Sequence, residues 1–248
     1  MTCPITIERT KIIASLAPWA QQNAAWPSTG RPILAHYDEA TVVVYQAFNR
    51  DIAAHAVANQ SFLGCPLYNP TRMTWVKTNF LWMMYRCGWA TKDKNQTNVL
   101  AIRLKREGFD TIIRRAVETS HNVEQSDEWR EALNRSDVRL QWDPDHNPDG
   151  SKCERRAIQL GLKGKTVQQF HAEWIVAIED ITESLVAPQQ TAAKSRDAWP
   201  ALMLPAETVY PNPLPQEKAT QPAAASAEKD ADNEDAAAPP APATAPAF

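Results

Sequence analysis

The sequence predicts an α+β fold, with one mixed α/β domain over residues 1–187 followed by a disordered Ala/Pro-rich tail over 188–248. Two observations carry this. Strand-like and helix-like segments are interleaved without the regular βαβ rhythm of a doubly wound sheet, and no internal repeat is present. From Pro188 onward the chain holds 11 of its 19 prolines and none of its 7 glycines, in long Ala/Pro runs that end at Phe248. That composition lacks the branched and aromatic side chains whose burial offsets the entropy of ordering a chain. Deleting residues 190–248 is therefore expected to leave thermal stability nearly unchanged. Trp199 and Leu202-Met203-Leu204 are the part of the tail apolar enough to dock as a short arm.

The elements follow from local pattern. Over 31–48, β-branched and aromatic residues cluster around a polar break at Asp38-Glu39, which predicts two strands or one strand with a turn. An Ala-rich helix over 51–59 comes next, then a loop with Gly64, Pro66 and Pro70. Thr78 or Asn79 is placed to cap a helix through 80–85 that ends near Gly88. Asn98 to Leu104 alternates as a strand does, and Phe109, Ile112, Ile113, Ala116 and Val117 follow at helical spacing. A short strand is expected over 138–142, stopped by Asp143-Pro144 and a loop to Gly150, and another over 157–162. Val167, Phe170, Trp174, Ile178, Ile181 and Leu185 then make the apolar stripe of a final helix.

Charge is uneven along the chain. The net charge is −3, but residues 188–248 hold 4 basic against 8 acidic groups, so the domain is close to neutral. Within it, residues 71–115 carry ten basic residues against Asp93, Glu107 and Asp110, a footprint suited to phosphate or nucleic acid, or else a solvated helix face. Cys3, Cys65, Cys87 and Cys153 are too widely spaced for a zinc site or a redox pair, so no metal is expected. The N-terminus lacks a long apolar core and no stretch is apolar enough to span a bilayer, which places the protein in the cytoplasm with no membrane partner.

Several familiar chemistries are excluded. Gly164-Lys165-Thr166 resembles the end of a P-loop, but the glycine required five residues earlier is Gln159. There is no Gly-x-Gly-x-x-Gly, no Gly-x-Ser-x-Gly elbow and no His-Glu-x-x-His helix. His171 beside the apolar stripe reads as a core histidine bonded to a neighbour, and His146 as part of a solvated turn.

The most unusual segment is 72–92, Arg-Met-Thr-Trp-Val-Lys-Thr-Asn-Phe-Leu-Trp-Met-Met-Tyr-Arg-Cys-Gly-Trp-Ala-Thr-Lys. Trp75 and Trp82 are interleaved there with Arg72, Lys77, Arg86 and Lys92. Such a set can stack a base or nicotinamide while its cations hold phosphates, so these six residues are candidates for binding a nucleotide, an NAD-like molecule, RNA or single-stranded DNA. The other reading is a core helix whose aromatics face inward while the cations reach water.

This segment, with Val44-Tyr45-Gln46-Ala47-Phe48 before it and Val138-Arg-Leu-Gln-Trp-Asp-Pro144 and Ile158-Gln-Leu-Gly-Leu162 after it, closely resembles domain of unknown function 4291 over about residues 30–186. The chain departs from that pattern at Cys87, where a serine is expected, and at Asp145-His146, where Glu-Arg is expected. A looser similarity is to the ADP-ribosyltransferases, an α+β superfamily with three separated active-site positions. That resemblance implies Arg31 or His36 in the first position, Tyr45 or Thr74 in the second, and Gln141-Trp142-Asp143 as the late acidic motif. It also implies NAD as substrate, with Asp143 stabilising the positive charge left on the ribose when nicotinamide departs.

Overall fold

A computed structural model describes residues 12–13, 15–119, 123–211 and 213. In chain order the elements are β1 (Leu16–Pro18), α1 (Trp19–Ala25), β2 (Leu34–Ala35), β3 (Thr41–Phe48), α2 (Arg50–Asn59), β4 (Thr74–Lys77) and α3 (Phe80–Cys87). Next come β5 (Asn98–Lys105), α4 (Arg106–Arg115), β6 (Ala116–Glu118), α5 (Asp127–Arg135), β7 (Val138–His146), β8 (Lys152–Leu162) and α6 (Gly164–Gln169). The chain closes with β9 (Ile175–Asp180), α7 (Ala187–Ala193), β10 (Met203–Pro205) and β11 (Thr208–Val209). Helix ends obey local chemistry. Asn49 caps α2 by accepting from Ile52 N at 3.0 Å, Asn79 caps α3 by accepting from Trp82 N at 2.6 Å, and Gly88 ends α3 in the left-handed conformation at φ 57°.

Seven strands form one mixed sheet in the order β6-β7-β8-β4-β3-β5-β9, antiparallel except for the parallel pair β6–β7. Alternation along each strand divides the interior in two. Val42 and Val44 of β3, Val76 of β4 and Leu100, Ile102 and Leu104 of β5 face a core closed by α2 and α4, with Phe170 and Trp174 from the wide turn after α6. Val43 and Tyr45 of β3, with Val99 and Ala101 of β5, face a second core under α3, which contributes Phe80, Leu81, Met83, Met84 and Cys87. The chain is therefore an α+β domain whose sheet is covered on both faces.

Three elements differ from the sequence expectation. The helix expected from Val167 to Leu185 is interrupted by β9, because β-branched Ile175 and Ile178 pair along the free edge of β5 and tertiary hydrogen bonding overrides a helical stripe. The strand expected to stop at Asp143-Pro144 runs on to His146, since a bulge follows Pro144 and tolerates its missing N–H. The domain also does not end at residue 187. Past α7 the chain folds back, β10 pairs antiparallel with β1 and β11 with β2, and Trp199, Leu202, Leu204, Glu207 and Tyr210 are buried. A short arm rich in alanine and proline docks because its few aromatic and leucine side chains point inward. The rest of the expected tail, 214–248, lies outside the described residues.

Among the described residues no helix is long and apolar enough to cross a membrane. The outer edge of β9 is met by a side chain. The Gln60 amide accepts from Ile178 N at 2.8 Å and donates to Ile178 O at 2.9 Å, from a backbone held at φ 52° by the end of α2.

Because the arm is part of the core, Leu204→Ala should cost about 2–5 kcal/mol. A chain ended at Lys194 should lose its cooperative melting transition. Thermal denaturation followed by circular dichroism checks both, and an unchanged curve for either protein is the contrary result.

Candidate functional site

On the α3 side of the sheet the β7–β8–β4 half is polar. The odd-numbered positions of these strands project there. Gln141 pairs in register with Gln159, Gln159 with Lys77, and Lys77 with Tyr45, giving a row of four polar side chains across four strands. Asp143 stands one step along β7 from Gln141. The Gln159 amide ties the two together, donating to Gln141 Oε1 at 2.9 Å and to Asp143 Oδ2 at 2.7 Å. Gln159 thereby commits both N–H groups and keeps its carbonyl oxygen as an acceptor.

The flanks are an aromatic ring and a helix. Trp75, half-buried, lies across Gly161 of β8, where an added Cβ would come within 3.0 Å of the indole and 2.7 Å of Met73 Sδ. Glycine is needed at this point so that the ring can rest on the backbone. Arg86 and Cys87, from the last turn of α3, close the other side near Lys77. Gln141, Asp143, Gln159, Trp75 and Arg86 are all half-buried, so the patch, called the recess below, is partly open to solvent and is not a sealed core.

Lys77 is only 7 % exposed. Burial, seconded by the Arg86 charge, pulls its ammonium down to about 8, while Asp143 and Cys87 act in the opposite direction. Burial also raises the Tyr45 hydroxyl well above its ordinary value, so it stays protonated, and among the described residues that hydroxyl has no hydrogen-bond partner. At the far end of the recess Trp82 stacks on Tyr85 and on His146, with Tyr85 and His146 nearly parallel at 3.5 Å. Burial, helped by Lys152, lowers His146 to about 4, and neither of its ring nitrogens has a partner among the described residues. Glu207 of the arm accepts from Phe80 N at 2.7 Å, and burial raises its carboxyl well above the ordinary carboxylate range.

The residues singled out in the sequence thus separate into groups. Tyr45, Trp75, Lys77, Arg86, Gln141 and Asp143 share the recess, and Trp82 lies beside it. Thr74 faces the opposite side of the sheet, where it accepts from Gln46 Nε2 at 2.6 Å. Arg31 is ion-paired with Glu118 at 3.1 Å and sits 5.9 Å above the Trp142 ring, which also belongs to that opposite face. His36 Nδ1 is held by Ala206 O of the arm at 2.9 Å. Arg72 and Lys92 are exposed in loops before β4 and after α3. The three-position pattern is not assembled on one face with Arg31 or Thr74 as a member.

Gln159 and Gly161 were not anticipated as site residues. Their signal was the alternation Ala157, Gln159, Gly161 against Ile158, Leu160, Leu162, small or polar on one face and large and apolar on the other. His171 is the buried histidine bonded to a neighbour that the sequence suggested, and the neighbour is Tyr68, whose O–H meets His171 Nε2 at 3.1 Å on the Thr74 side. Burial raises Tyr68 to about 12 and lowers His171 to about 4. Among the described residues there is no cluster of His, Cys, Asp and Glu able to hold a metal ion.

Fold and site together define an α+β domain with a recessed polar patch on one half of a two-sided sheet. The chain belongs to the family described as Domain of unknown function (DUF4291), whose model matches residues 32–210. The match ends at Tyr210, the last buried residue of the docked arm, and so extends past the boundary near 186 expected from sequence. No curated protein matches the chain.

Two consequences can be measured. Lys77 binds its proton more weakly in the folded chain than at its ordinary 10.5, so its penalty on folding is complete below pH 8 and fades as pH rises from about 8 towards 10.5. Lys77→Met should therefore raise stability at pH 7 by about 1–3 kcal/mol, a gain that shrinks by pH 10. Chemical denaturation at both pH values checks it, and a destabilised variant is the contrary result. His146 and His171 are held neutral, so the stability they permit is full above pH 6.5 and is lost as pH falls towards 4. Between pH 7 and pH 5 each should cost on the order of 1 kcal/mol. The paired substitution His146→Phe and His171→Phe should flatten that slope.

Proposed function

We propose that the recess binds a nucleotide, with Arg86 directed to phosphate oxygens, Trp75 offering a ring for base stacking, and the Gln141–Gln159–Asp143 array receiving ribose hydroxyls. The carrying observation is the polar row Gln141–Gln159–Lys77–Tyr45, which crosses four strands on the α3 face beside an apolar core. Keeping that many polar groups buried or half-buried costs stability, and such a cost is retained where it serves binding or chemistry. A single nucleotide suits the recess better than a strand of RNA or single-stranded DNA, because Lys77 and Arg86 lie within it while Arg72 and Lys92 stand apart in loops.

One observation favours a second reading, an NAD-using transferase. Gln141 and Asp143 stand two apart on one strand and are fixed by a single amide, as a late acidic motif requires. In that reading Asp143 faces the cationic ribose as nicotinamide leaves, and Gln141 orients the acceptor. Tyr45 is the second-position candidate that shares the face.

Isothermal calorimetry with AMP, ATP, NAD and ADP-ribose tests binding. Arg86→Gln should weaken all four, each of which carries phosphate, by about tenfold, the loss of one charge-assisted contact. Trp75→Leu should weaken all four ligands by a similar factor, about tenfold for one stacked ring. Absence of binding for all four at millimolar concentration would remove the reading. Nicotinamide release separates the transferase, since Asp143→Asn should lower cleavage by about a hundredfold or more while leaving NAD affinity largely intact.

A further inference from the structure

Two nucleophilic side chains, Cys87 and Lys77, stand at the recess, and the binding reading assigns neither of them a contact with the ligand. Cys87 is spent on structure. Its thiol is fully buried, donates to Met84 O at 3.8 Å and accepts from Ala90 N at 3.4 Å, and burial pushes it up and away from the reactive thiolate.

Lys77 is placed differently. It is carried by a strand whose backbone is paired on both sides, with β3 and with β8, so its amine is positioned by the sheet and not by a mobile loop. Tyr45 and Gln159 are its cross-strand neighbours, and the charged or titratable groups that act on it are Arg86, Asp143 and Cys87. A lysine whose task is charge normally keeps its head in water, but this one is buried beside a second cation. Both conditions favour the neutral amine, which is the nucleophilic form.

We propose that Lys77 is a covalent nucleophile whose Nζ adds to the C1 aldehyde of a ring-opened ribose phosphate carried by a bound nucleotide, ADP-ribose being the representative case, and condenses with it to an imine. The proposal rests on the nucleotide reading above and names the reacting part of its ligand. In the first step the amine lone pair makes the N–C1 bond, the carbonyl π pair moves onto oxygen, and an N–H proton passes to that oxygen. In the second the C1–O bond breaks as the C=N bond forms, and the oxygen leaves as water with both amine hydrogens. No oxidant or reductant is consumed. Tyr45, protonated and without a partner among the described residues, is the donor available to the carbonyl oxygen. Asp143, whose charge reaches Lys77, can ferry the proton from nitrogen to oxygen.

The test traps the imine. The full chain is incubated with ADP-ribose and cyanoborohydride, and reduced adducts are located by peptide mass spectrometry. Lys77 should be the dominant adduct, with surface lysines such as Lys92, Lys94 and Lys152 labelled at about one tenth of its rate or less, and excess AMP should suppress labelling at Lys77 alone. Between pH 7 and pH 9 the Lys77 rate should rise about tenfold and then level off, because its neutral fraction saturates, whereas surface lysines should keep climbing through that range. Lys77→Arg should abolish the dominant adduct, with a thermal melt confirming that the variant is folded. Labelling spread evenly over lysines, or a pH profile at Lys77 that keeps climbing like the others, overturns the proposal without needing any variant. Calorimetry on the unmutated chain separates the failures: if ADP-ribose does not bind, the nucleotide reading falls as well, and if it binds with no adduct at Lys77, only the covalent step falls.

Discussion

The sheet is continuous only through β4. This strand contributes four residues, pairs with β8 along its whole length, and meets β3 at the single position Tyr45–Lys77. On one side of it lie β6, β7 and β8, on the other β3, β5 and β9, and the core closed by α2 and α4 extends across the join. Register is therefore fixed at one narrow splice. A slip of one residue at β4 would turn Lys77 and Trp75 to the opposite face and put Val76 into the recess. The same four residues supply Thr74 to one polar network and Lys77 to another, so the splice that joins the two half-sheets also sets which polar group appears on which side.

The neighbours of the splice show how this is tolerated. Gln46 donates to Thr74 Oγ1 and to Trp75 O, stitching β3 to β4 where backbone pairing is thin. Gln159 plays the matching part between β8 and β7, linked to Gln141 and Asp143. Glutamine suits both places because one amide can reach two acceptors across a strand. The arm then holds the far end of α3, since Glu207 sits on Phe80 N and Trp26 Nε1 donates to Glu207 O at 2.8 Å. Residues distant in sequence thus hold α3 over the recess from one end, while its Gly88 terminus brings Arg86 down at the other.

What the sequence disclosed depended on the range of the interaction. Helix α3 was legible because Asn79 and Gly88 mark its ends locally, and β3 and β5 because alternation is a local pattern. The composition of 72–92 pointed to the right neighbourhood, but it could not separate Lys77 and Arg86 in the recess from Arg72 and Lys92 in loops. That difference is one of strand and loop geometry, which charge counting does not register. Thr74 was grouped with Asp143 because spacing in the chain does not say which face of a sheet a residue occupies until its strand has been given a register. The link from Gln159 to Asp143 depends on antiparallel pairing across a turn, which spacing alone does not fix; the docked arm left a local trace in Trp199 and Leu202-Met203-Leu204, but its seat on residues more than a hundred positions away did not. The stripe from Val167 to Leu185 was misread for a related reason. An apolar run that ends against a sheet edge satisfies helix and strand equally well until the edge is known to be there.

The Gln60 amide at the edge of β9 bears on how copies of this protein meet one another. A peptide group offers one N–H and one C=O, and the side chain of Gln60 presents that same pair to Ile178. It occupies the place that the backbone of an incoming strand would take, at the middle of a segment whose Val176 is 49 % exposed. A second molecule approaching this margin finds those backbone groups already taken, so the ladder terminates within one polypeptide instead of propagating from chain to chain. A residue that looks like a poorly chosen helix terminus, held in a conformation glutamine rarely adopts, thus closes one peptide's worth of open sheet edge from within the chain.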